Sequence, residues 1–162
     1  MSGSVRAALP VLGTLAAAVL GALGSVRSAE FYAKLAKPAW APPPGVFGPV
    51  WTALYTLMAV AAVLVLRRAG WPGARTAMTL YAAQLGLNAL WTWLFFHWRL
   101  GAAAMAEIVL LWVTVLLTIL AFARVRRVAG ALLLPYLVWV TFAAALTYAI
   151  WRRNPSLLAV VP

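Results

Sequence analysis

The chain has 162 residues, 66% of them hydrophobic and only 9% charged, with a net charge of +11 and no cysteine. A soluble domain is about half apolar and a quarter charged, so this composition excludes an ordinary water-soluble core, and the missing cysteines exclude disulfides and thiolate metal sites. The basic residues sit at the ends of apolar runs (Arg67 and Arg68; Arg124, Arg126 and Arg127; Arg152 and Arg153), which is where anchors on anionic lipid belong and not how a nucleic-acid surface is built.

A hydrocarbon core takes about 20 apolar residues per helix. Five stretches meet that length, at about 7–25, 46–66, 78–98, 102–123 and 131–151. The predicted fold class is all-α: an integral membrane, multi-pass bundle of five transmembrane helices, forming one domain over residues 1–162. The first stretch follows Arg6 and ends in small residues, like a secretory signal. Its apolar run is longer than a signal core, which predicts a retained span.

Residues 26–45 form the one long connection. They carry Arg27, Glu30, Lys34 and Lys37, then Pro38, Pro42, Pro43 and Pro44. The prolines forbid a regular helix and favour extended or turn geometry. Tyr32 and Trp40 are amphipathic rings suited to an interface. The segment reads either as a lid or as a solvated linker with interfacial anchors. The remaining links are short, so successive helices are antiparallel and the termini lie on opposite sides. Arg6, Arg67, Arg68, Arg75, Arg124, Arg126 and Arg127 fall on the N-terminal side. Arg27, Lys34, Lys37, Arg99, Arg152 and Arg153 fall on the other. The denser clusters after spans two and four favour an inside N-terminus.

Polar groups in hydrocarbon are costly and usually face the bundle. Span two places Trp51, Tyr55 and Met58 at helical spacing. Span three does the same with Tyr81, Gln84, Asn88, Trp91 and Phe95, and span five with Tyr136, Trp139, Ala143 and Thr147. Flat rings with a few hydrogen-bonding groups suit a pocket for a large, flat, mostly apolar ligand. The alternative is that Gln84, Asn88 and the threonines join helices by interhelical hydrogen bonds. Span four holds Glu107, with Leu111, Thr114 and Thr118 on its face. Three roles are open to it: a neutral acid bonded within the bundle, a ligand contact, or part of a proton path. A relay needs a chain of titratable groups, and His97 is the one other candidate in a span.

Catalytic templates find no support. No serine is set beside His97 and an acid, zinc ligands are too few, and no phosphate-cradling glycine loop occurs. There is no internal repeat of the kind inverted-repeat transporters carry.

The ordered motifs nevertheless resemble a known family. The loop reads Phe31-Tyr32-x-x-Leu35-x-Lys37-Pro38-x-Trp40-x-Pro42-Pro43. Span two opens Gly48-Pro49-Val50-Trp51 and continues to Leu54-Tyr55-x-x-Met58. Span three contains Gln84-Leu85-x-Leu87-Asn88-x-x-Trp91 and Phe95-Phe96. Span five contains Pro135-Tyr136-Leu137-x-Trp139 and ends Trp151-x-x-Asn154. In this order and register, from about Phe31 to Asn154, they resemble the TspO/MBR family. These are the tryptophan-rich sensory proteins related to the mitochondrial translocator protein, once called the peripheral benzodiazepine receptor. Four positions depart from the family pattern: Phe31 where tryptophan is usual, Ala59 for glycine, Thr147 for asparagine and Glu107 for aspartate.

The resemblance implies a five-helix bundle, often a homodimer, with a pocket under the first loop. The ligands it implies are porphyrins such as protoporphyrin IX, haem-type tetrapyrroles, sterols, and isoquinoline or benzodiazepine-type compounds. It implies a tetrapyrrole-binding sensor or regulator with no obligatory cofactor, and not a conventional enzyme. Two alternatives come with it: light- and oxygen-dependent porphyrin degradation by Trp51 and Trp139, and porphyrin or sterol transport. The family's pocket positions map onto Trp51, Asn88, Trp139 and Ala143, and also onto Tyr32, Trp40 and Glu107. Tyr55, Trp91 and Leu146 complete the expected ligand-binding set. Leu146-x-Tyr148-x-x-x-Arg152 fits a loose sterol motif; an ordinary interfacial Tyr and Arg explain the same residues. Ala- and Arg-rich usage points to a bacterial cell membrane.

Overall fold

A computed structural model describes residues 3–159, with side chains from Ala8 onward. Arg6, counted above for orientation, has its side chain outside the described residues. Every element among the described residues is helical. In chain order they are α1 (Gly3–Gly24), α2 (Ser28–Lys34), a 3₁₀ turn (Pro44–Val46), α3 (Phe47–Gly73), α4 (Arg75–Thr92), a π turn (Trp93–His97), α5 (Gly101–Val125), α6 (Arg127–Ala131) and α7 (Leu134–Arg153).

The helix ends follow local chemistry. Pro44 opens the 3₁₀ turn, and Pro49 sits in the first turn of α3, where a missing N–H costs nothing. Pro135 does the same at the start of α7. α3 breaks at Gly70, whose φ of 64° a residue with a side chain rarely adopts. Arg152 and Arg153 occupy the last turn of α7, where cations complement the helix dipole.

Three helical stretches are each long and apolar enough to cross a bilayer: Pro44–Gly73, Gly101–Val125 and Arg127–Arg153. Ala8–Gly24 and Ser28–Lys34, bent by 51° at a short break, form a fourth only when taken together. α4 is not among them. The helix that was expected to be the third span spends its length on Thr79, Gln84, Asn88 and Thr92, so its own hydropathy is diluted.

The segment at 26–45 also differs from expectation. Its first part is the helix α2, because no proline occurs before Pro38. Leu35 then turns extended, and the prolines carry the chain to the 3₁₀ turn without regular structure.

The main seams join α4 to α5, α5 to α7, and α1 to both α3 and α4. Met58, Ala61, Ala62 and Val65 of α3 and Phe122 of α5 are completely buried in the core between them. The opposite helix faces are apolar and open: Leu12, Leu15, Val19, Leu20 and Leu23 on α1, Leu110, Val113, Leu117 and Leu120 on α5, and Val138 on α7. A soluble protein seldom exposes apolar patches of that extent. This outer surface is that of a multi-pass membrane protein.

Glycine permits two close approaches. A methyl group at Gly101 would run into the Trp151 ring, and one at Gly130 would lie 2.8 Å from the Ala123 Cβ. The first joins the start of α5 to the end of α7. The second folds α6 back on α5.

Candidate functional site

The bundle holds a cavity of about 330 Å³ beneath α2 and the proline segment. That volume is within the range of about 300–1,000 Å³ usual for small-molecule sites. One wall is an aromatic cluster from α3 and α7. Trp51 lies with its ring centre 5.3 Å from Tyr55, 6.2 Å from Tyr136 and 6.4 Å from Trp139. Phe47 extends the cluster, 6.0 Å edge-on to Trp139. A second wall comes from the end of α4, where Trp91 stacks on Phe95 at 5.1 Å with an interplanar angle of 11°. The π turn that follows brings Phe95 and Phe96 to the cavity; such turns recur at functional sites. α1 and the turn after it contribute only small residues: Ala18, Gly21 and Ala22 from the helix and Ser25 from the turn.

The polar groups are few and mostly engaged. Tyr55 donates its hydroxyl to Asn88 Oδ1 at 2.9 Å, and Asn88 Nδ2 donates to Tyr136 Oη at 2.8 Å. One amide thus ties α3, α4 and α7 together at the cavity wall. Asn88 keeps one amide proton and one lone pair for a ligand. The threonines behave differently. Thr114 and Thr118 donate to carbonyls one turn back on their own helix, at 2.8 and 2.7 Å, and join no helices. Gln84 reaches across to the Met58 sulfur at 3.7 Å and leaves its carbonyl oxygen without a partner.

The cover is fastened at several points. Asn154, just past α7, accepts from the Ala36 N–H at 2.9 Å and donates to the Ala36 carbonyl at 2.9 Å. Its amide also donates to the Ile150 carbonyl at 2.7 Å. Lys37 donates to the carbonyls of Tyr32 and Leu35 at 2.6 and 2.9 Å, capping α2, and its ammonium lies 4.8 Å from the Tyr32 ring centre. Tyr32 donates to the Pro42 carbonyl at 3.1 Å. The Arg99 guanidinium covers Phe31 at 4.8 Å, pinning α2 to the end of the π turn.

Of the residues expected at a ligand site, Tyr32, Trp51, Tyr55, Asn88, Trp91, Trp139, Ala143 and Leu146 all line this one cavity. Two do not. Trp40 is half exposed on the outer face of the cover, edge-on to Phe142 at 5.8 Å. Glu107 is buried with both carboxyl oxygens unpartnered, while the cavity-lining residues beside it on α5 are Ile108 and Leu111. The sterol pattern is split: Leu146 points into the bundle, whereas Tyr148 is 52% exposed and Arg152 lies on the outside. The α1 wall and Phe142 were not anticipated. The signal was available in the spacing of Ala18, Gly21 and Ala22, which puts three small residues on one helix face.

The profile of the TspO/MBR family matches residues 8–152. The tryptophan-rich protein TspO of Chlorobaculum tepidum is 44% identical over 77% of this chain and 80% of its own. The tryptophan-rich sensory protein of Cereibacter sphaeroides is 42% identical over 86% and 85%. The translocator protein of Homo sapiens is 35% identical over 90% of each chain. The chain therefore belongs to the TspO/MBR family.

Proposed function

We propose that the protein is a membrane sensor or regulator that binds a tetrapyrrole of the porphyrin or haem type in the covered cavity, its helices crossing the bilayer five times with α4 as one of the spans. The observation that carries this reading is the cavity itself: flat rings on two walls, small residues on a third, and a single oriented amide. A planar macrocycle gains stacking area on Trp51, Trp139 and Trp91, and Asn88 offers it one directed hydrogen bond. Isoquinoline or benzodiazepine-type compounds have the same flat, apolar character. The family relationship supports the reading, and a bacterial cell membrane and a homodimer fit it. An absorbance titration of pure protein with protoporphyrin IX in the dark tests it. Saturable binding with a shifted Soret band supports it, and a linear, unsaturable response refutes it.

A second reading rests on the closeness of Trp51 and Trp139. Their indoles are oxidisable side chains at the cavity wall. Bound porphyrin would then be degraded in light and oxygen with these two residues taking part and with no acid–base pair. Illuminating the same titrated sample separates the two readings.

A further inference from the structure

A second hollow of about 490 Å³ lies on the outer seam between α1 and α3, lined by residues that include Leu15, Thr56 and Val60. Leu15 and Val60 are 57% and 46% exposed, so the groove faces the bilayer. Ala18 and Tyr55 line both this groove and the inner cavity, which makes them the partition between the two.

The groove is suited to hydrocarbon. Its three threonines each donate to a carbonyl of their own helix: Thr14 to Pro10 at 2.6 Å, Thr52 to Gly48 at 3.0 Å and Thr56 to Thr52 at 2.8 Å. No hydroxyl there needs water, which is the condition for a lipid-facing surface. The partition is thin. On the α1 side the cavity wall is Ala18, Gly21 and Ala22, with no large side chain. On the α3 side the Tyr55 ring packs on Trp51 and its hydroxyl makes one hydrogen bond, to Asn88. Releasing it leaves Asn88 still bonded to Tyr136. The covered end contrasts with this, being closed by Asn154, Lys37 and Tyr32 together.

We propose that the α1–α3 groove is a second binding site, an entry site that takes the flat apolar ligand from the bilayer and admits it to the cavity past Tyr55. This rests on the proposed ligand-binding role of the inner cavity. A ligand of that class partitions into lipid, so its supply is on the bilayer side. At the partition a planar molecule moving edge-on meets Ala18 and one rotatable ring.

The chain has no cysteine, so a single engineered thiol can be addressed without background. Thr56 lines the groove and not the cavity, and it is exposed. The test uses Thr56→Cys in lipid vesicles, before and after labelling with a benzyl methanethiosulfonate, with protoporphyrin IX as the probe. Labelling should slow association and dissociation together by about tenfold or more while the Kd stays within about twofold, because a blocked path changes rates and not the bound state. Reductant should restore both rates on the same sample, which removes misfolding as an explanation. Wild type treated alike should not respond. Rates unaffected by the label would overturn the proposal and mark the groove as a place for acyl chains only. The proposal is overturned equally if a label on Trp40→Cys, at the cover, slows exchange and one at Thr56→Cys does not. If unlabelled protein binds no porphyrin, it is the cavity reading that fails, and that outcome is distinguishable from the others.

Discussion

Asn88 donates a 2.8 Å hydrogen bond to the hydroxyl of Tyr136, a residue that is 1% exposed. The partners lie on α4 and α7, helices that frame the cavity without forming one of the main seams of the bundle. With the 2.9 Å bond from Tyr55, this amide fixes the distance across the cavity wall.

Its loss should be felt as stability before it is felt as affinity. Asn88→Ala strands two tyrosine hydroxyls in a largely apolar site, which costs about 1–3 kcal/mol. Thermal unfolding in detergent should show a lower midpoint for this variant. A double-mutant cycle with Tyr136→Phe should give a coupling of about 0.5–1.7 kcal/mol, the range seen for interhelical bonds in membranes. Strict additivity would show that the two residues act independently.

The cover should depend on Asn154 in a way that spares the bundle. Asn154→Ala removes three hydrogen bonds, two of them to the backbone of Ala36. At about 1 kcal/mol net for each bond, partly regained from water, the cover should open about tenfold more often. Chymotrypsin cleavage after the exposed Trp40 and dissociation of bound porphyrin should both quicken. The unfolding midpoint should move less than it does for Asn88→Ala. Unchanged cleavage would mean that Lys37 and Tyr32 hold the segment without help.

If the cavity performs photochemistry, the indoles that touch the ligand should control its rate. Trp51→Phe and Trp139→Phe keep an apolar ring and remove the oxidisable one. Under a lamp, at saturating protoporphyrin IX, each should slow loss of the Soret band by several-fold, while the dark dissociation constant changes by about twofold or less, since Phe retains most of the buried area. Free porphyrin under the same lamp is the baseline. Bleaching no faster than with an unrelated membrane protein would leave binding as the whole function.

The helical class and the membrane character were legible in the sequence because a long apolar run has few other uses in a chain this short on charge. The residues at 51, 55, 88, 91, 139 and 143 were legible for a related reason: polar and aromatic groups at helical spacing must face inward in lipid, and inward-facing groups from several helices meet. Three features were not. α2 was hidden because Pro38–Pro44 dominates the composition of its segment, although the prolines begin only after the helix has ended. Glu107 and Trp40 carry interesting chemistry, but their placement depends on which way one helix turns and one loop folds, and spacing within an element does not encode that. The small-residue wall of α1 shows only as an absence of bulk, and its meaning depends on α3 and α4 standing opposite it.

The central claim is that ligand occupies the space under the cover, and filling that space tests it most directly. Ala143 is a half-buried cavity residue on α7 with room beside its methyl group. Ala143→Trp should put an indole where the macrocycle sits. A dark titration of both proteins with protoporphyrin IX, after circular dichroism has shown equal helicity, should give saturable binding for wild type and a Kd at least about tenfold weaker for the variant, a loss of about 1.4 kcal/mol or more. Equal affinities would place the porphyrin outside the cavity and contradict the account.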